Sequence, residues 1–103
     1  MIVRVFRCTV AAGRERDWQD RVEKISIPWL QSLGGLVAFY PGRPLGDSGD
    51  RAFCMVMIFD RIESIKAAMG DAWKNPVLLE DEALLVERAE VDHFELFPPR
   101  SGD

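Results

Sequence analysis

A chain of 103 residues, 48% of them hydrophobic, is one domain's worth of sequence with enough apolar surface for a single modest core. The net charge of -4 is spread along the chain, so no basic cluster marks a nucleic-acid surface. No apolar run nears the roughly 18 residues that suggest a membrane span, and the first residues lack the basic, apolar, small-residue order of a secretory signal.

Cys8 and Cys54 both sit inside strand-like apolar runs, which points to buried free thiols in a reducing cytoplasm. Two cysteines and one histidine at wide spacing fit no zinc pattern, so no metal is expected.

The opening run MIVRVFRCTV is rich in β-branched and aromatic residues and reads as a strand. A two-residue period puts Arg4, Phe6, Cys8 and Val10 on one face, with Val3, Val5, Arg7 and Thr9 on the other. From Gly13 to Leu33 the period becomes helical: Trp18, Val22, Ile25, Trp29 and Leu33 form one stripe. Pro28 removes a backbone donor and predicts a kink or split near Lys24–Ile25, and Gly34 and Gly35 end the helix.

GLVAFYPG is a second strand, stopped at Pro41, and GRPLGDSGD is a mobile polar loop. RAFCMVMIFD is a third strand with apolar residues on both faces. Asp60 and Glu63 have the spacing of a capping box, with Asp60 as the cap of a helix that turns Ile62, Ile65 and Met69 inward and stops at Gly70. Residues 71–89 read as a turn and one short helix. EVDHFELF alternates as a fourth strand closed by Pro98 and Pro99, so the domain covers 1–97 and a tail follows at 98–103.

The order strand, helix, strand, strand, helix, strand is the α+β, ferredoxin-like βαββαβ pattern: a four-stranded antiparallel sheet with the helices on one face. Strands apolar on both sides need a second cover. The simplest is another copy packed sheet against sheet, a homodimer.

The ordered segments TVAAG, GLVAFYPGRP, MVMIFDRIESIKAAMG, DAWKNPV and VDHFELF resemble the antibiotic biosynthesis monooxygenase family of the dimeric α/β-barrel superfamily over nearly the whole chain. The resemblance implies a dimeric α+β barrel and a cofactor-independent monooxygenase acting with O2 on a small aromatic or quinol. The alternative within the same fold is a non-catalytic homodimer that binds a small ligand or a partner. Haem-degrading relatives carry an asparagine on the first strand and a haem-ligating histidine after the second helix. Here Phe6 stands near the first position and no histidine lies between Ile62 and Glu90, which argues against haem degradation. No glycine-rich turn enters a helix, so no flavin or nicotinamide is expected.

Trp73 is the first candidate site residue. In proteins of the resembling family a tryptophan near this position lines the pocket, where its indole could donate to an oxyanion. The competing reading is packing at the end of the core. His93, the only histidine, is a candidate general base for a phenolic proton, or a structural hydrogen-bonding residue on its strand. Arg4, Tyr40 and Asn75 are candidate substrate contacts. Arg4 shares a face with Phe6 and Cys8 and is more informative than Arg43, because if that face is the helix side a buried arginine needs a counter-charge or a ligand. Arg7 is a further candidate for holding an anion; Arg43 sits in a polar loop and reads as solvated, and Asn75, before Pro76, also reads as a turn residue.

Overall fold

The computed structural model describes residues 1–99; the tail expected at 98–103 therefore falls outside the described residues from position 100 onward. Strands β1 (Ile2–Val10), β2 (Leu36–Gly42), β3 (Ala52–Phe59) and β4 (Val86–Glu95) form one sheet in the order β2-β3-β1-β4. Every neighbouring pair is antiparallel, with Arg4 opposite Met57 on one side and His93 on the other. This is the ferredoxin-like arrangement.

The two-residue period decides what lies on each face. Arg4, Cys8 and Val10 of β1 and Phe53, Met55, Met57 and Phe59 of β3 are buried beneath the helices. They form two core clusters, one around Cys8, Trp18 and Leu85 and the other around Leu30, Phe59 and Ile65. Phe6 and Val22 pack against both. On the opposite face Val3, Val5, Val56 and Ile58 are half-buried, while Tyr40 and Phe94 are 60% and 57% exposed.

The first helical stretch is split, as Pro28 requires. It consists of α1 (Glu15–Arg21), a π-helical turn (Val22–Ser26) and α2 (Ile27–Gln31). Proline cannot donate to a carbonyl four residues back, and the Ile27 N–H instead reaches Val22 O, five residues back. The wider turn shifts the register of the apolar stripe. Trp18 and Leu30 are buried, whereas Ile25 and Trp29 are 49% and 44% exposed.

Three local expectations need correction. Pro41 does not stop β2, which continues to Gly42; β2 is an edge strand, where a missing N–H costs no ladder bond. Asp60 does not cap helix α3 (Ile62–Met69). Arg61 is the cap residue, and the Asp60 carboxylate accepts the Ser64 hydroxyl at 2.6 Å while its N–H bonds Gly35 O at 2.8 Å. The fourth strand begins at Val86 rather than Glu90, directly after the short helix α4 (Glu80–Ala83). Gly70 ends α3 with a φ of 82°, a left-handed conformation that glycine adopts without strain.

Candidate functional site

A cavity of about 310 Å³ lies between the sheet, the split helix and the segment leading into α4. Its walls are mostly apolar: Phe6, Phe53, Met55 and Met57 come from the sheet, Trp18 and Trp29 from the helices. Val22, Ile25 and Ser26 of the π-helical turn also line it. The irregularity enforced by Pro28 thus contributes part of one wall, a common use of π-turns.

The sheet side presents one charged group. Arg4 is 1% exposed and lines the cavity. Its Nη1 donates to Trp73 O and lies 2.9 Å from His93 Nε2, and its Nη2 donates to Asn75 O at 3.2 Å. Its Nε–H is buried and has no acceptor. Among the described residues no carboxylate forms an ion pair with it. Burial alone brings its pKa down from 12.5 to about 10, still well above neutrality, so Arg4 is a charged guanidinium held by neutral partners.

Since arginine has no acceptor, the short contact to His93 makes Nε2 the acceptor and leaves the imidazole proton on Nδ1. The histidine is neutral for the same reason. Desolvation, and then the positive charge of Arg4, lower its pKa, with Asp92 opposing them. A lone pair already committed to Arg4 is a poor general base.

The second arginine at the cavity is arranged differently. Arg21 of α1 pairs with Asp81 at 3.0 Å and Glu82 at 3.5 Å on α4, so its charge is compensated twice. These pairs tie α4 to α1 beside the cavity. Cys8 is no nucleophile: burial pushes its thiol up to about 12. No group of three or more potential metal-ligating His, Cys, Asp or Glu side chains occurs among the described residues.

Of the residues singled out from sequence, Arg4, Trp73, Asn75 and His93 come together and Tyr40 does not. Tyr40 points from the uncovered face of the sheet, opposite Val56, because its position in β2 has the other parity. Trp73 and Asn75 meet Arg4 through backbone carbonyls rather than side chains. The Trp73 ring is not part of the cavity lining. It stands edge-on to His93 at 5.1 Å, with Lys66 and Lys74 Nζ at 5.6 and 5.5 Å from its ring. Trp18, Trp29, Arg21 and Glu82 also line the cavity, and none of them stands out in the sequence as a site residue. The two tryptophans sit in the stripe read as core, and no pattern in 71–89 fixes which acids face Arg21.

With this geometry in view, the likeness to solved structures is specific in shape. A candidate antibiotic biosynthesis monooxygenase from Deinococcus radiodurans superposes with a TM-score of 0.73 at 12% identity, covering 98% of this chain and 97% of that one. The chain has the fold of the antibiotic biosynthesis monooxygenases. A protein of unknown function from Nitrosomonas europaea, NE2512, gives a TM-score of 0.74 at 16% identity over 99% and 94% of the two chains. An R26S mutant of MhuD carrying two manganese protoporphyrin IX molecules per active site gives 0.68 at 19% identity over 99% and 100%. No family profile and no curated protein sequence matches the chain. No helix among the described residues is long and apolar enough to cross a membrane.

Proposed function

We propose that the cavity binds a small aromatic molecule and that the protein oxygenates it with O2, without an organic cofactor, in the manner of a quinol or phenol monooxygenase. The observation that carries this reading is a largely apolar, aromatic- and methionine-rich cavity with one buried, uncompensated cation in its wall. A volume of about 310 Å³ is at the small end for ligand sites and suits one or two fused rings. Arg4 favours an anionic oxygen on the ligand, since burying that charge unpaired is costly. The electrons for oxygen reduction come from the electron-rich ring itself: one oxygen atom enters the product and the other leaves as water.

The same reading takes the chain as a homodimer joined through the sheet face that the helices leave uncovered. A second reading, a non-catalytic ligand-binding dimer, gains support from His93, whose Nε2 is engaged by Arg4 and not free to take a proton. Oxygen uptake separates the two. With 1,4-dihydroxynaphthalene and a metal chelator present, uptake above the uncatalysed rate is expected, lost in Arg4→Met. Saturable binding of that quinol with no uptake above background would establish the non-catalytic reading.

A further inference from the structure

The donor inventory of Arg4 says more about the ligand than its charge does. A guanidinium has five N–H bonds. Nη1 uses two, on Trp73 O and His93 Nε2, and Nη2 uses one on Asn75 O. That leaves the Nε–H and one Nη2–H, both on a side chain that is 1% exposed and lines the cavity. Two protein carbonyls and an imidazole engage the other three N–H bonds, and among the described residues no carboxylate pairs with the group. Arg21, the other guanidinium at the cavity, also has a buried Nε–H without a hydrogen bond, but its charge is already met by Asp81 and Glu82, whereas Arg4 has no carboxylate partner among the described residues.

We infer that the anionic group held by Arg4 is a carboxylate, so that the ligand is an aromatic acid whose ring fills the apolar part of the cavity. A carboxylate presents two acceptor oxygens to two remaining donors, and paired N–H···O bonds of this kind are the strong ones. It also arrives ionised: near pH 7 almost every carboxylic acid is charged, whereas only about one simple phenol in a thousand is. A phenolic hydroxyl therefore fits the reacting part of the ring better than the anchored end. This inference rests on the cavity being a ligand site for small aromatics, as proposed above, and names the anchoring group.

The test compares 2-naphthoate, 2-naphthol and 2-naphthamide at pH 7 by calorimetry and tryptophan quenching. The three share one ring system and differ only in the head group. Naphthoate is expected to bind roughly 10–100-fold more tightly than either of the others, the range for gaining charge-assisted hydrogen bonds. Arg4→Lys keeps a positive charge but loses the two-donor fork, and should collapse that preference to a few-fold. The wild-type series stands by itself if the lysine variant does not fold. Equal binding of naphthol or naphthamide would overturn the carboxylate and leave the aromatic site in place. No saturable binding of any of the three would overturn both.

Discussion

Replacing Trp73 with phenylalanine separates two roles for the tryptophan beyond α3. The indole stands edge-on to His93 at 5.1 Å and lies under two lysine ammonium groups at 5.5 and 5.6 Å, while the bond to Arg4 comes from its backbone carbonyl. An aromatic edge contact contributes about 0.5–1.5 kcal/mol and an exposed cation–π contact about 0.5–1 kcal/mol. Phenylalanine keeps part of each, so Trp73→Phe should cost about 1–2 kcal/mol. In a domain of this size that lowers Tm by roughly 5–15 °C. The carbonyl bond to Arg4 survives, and the cavity wall made by Trp18 and Trp29 is untouched. Ligand quenching should therefore remain saturable in Trp73→Phe, with a Kd within about twofold of the parent, since no lining contact is lost. It should weaken in Trp18→Phe and Trp29→Phe. The assay is fluorescence titration of the three single variants with 2-naphthoate, each checked by circular dichroism and melting. A folded Trp73→Phe that alone loses saturable quenching would refute the argument and place the Trp73 ring in the site.

Three further outcomes follow from the same geometry. Val56 lies at the middle of the uncovered sheet face, opposite Val5 and Tyr40, so Val56→Asp should dissociate the proposed dimer by burying an unpaired charge; a wild-type monomer with native circular dichroism in sedimentation would sink the dimer. The folded-state pKa of His93 lies below its unfolded value, so its contribution to stability is present above about pH 6.5 and lost as pH falls through the folded pKa. Urea melts between pH 7.5 and 5 should show a steeper loss in wild type than in His93→Gln, and parallel curves would remove the histidine as the cause. Haem titration should give no stoichiometric Soret shift, because the sole histidine already bonds Arg4; a shift that survives His93→Ala would identify another iron ligand.

Alternation and period in the sequence determine the order of strands and helices, the face of β1 that carries Arg4, and the break before Pro28. Each depends on local backbone geometry: side chains two apart share a strand face, and a proline cannot donate a helical bond wherever the helix packs. The parity of His93 on its strand is likewise local, which is why its place on the same face as Arg4 follows once β4 pairs with β1. What the ring of Trp73 touches was beyond such reasoning, because residues 71–79 follow no period and only their packing decides which atoms face inward. There the chain turns two backbone carbonyls, not the indole, towards Arg4, and a carbonyl leaves no mark on residue identity. The side that Tyr40 takes depends on the pairing of an edge strand with an irregular register between Leu36 and Ala38, which residue identity does not reveal. The same limit hid Trp18 and Trp29: a stripe of large apolar residues looks alike whether it meets a filled core or a cavity. The difference lies in the volume left between helix and sheet, and only the tertiary structure sets that distance.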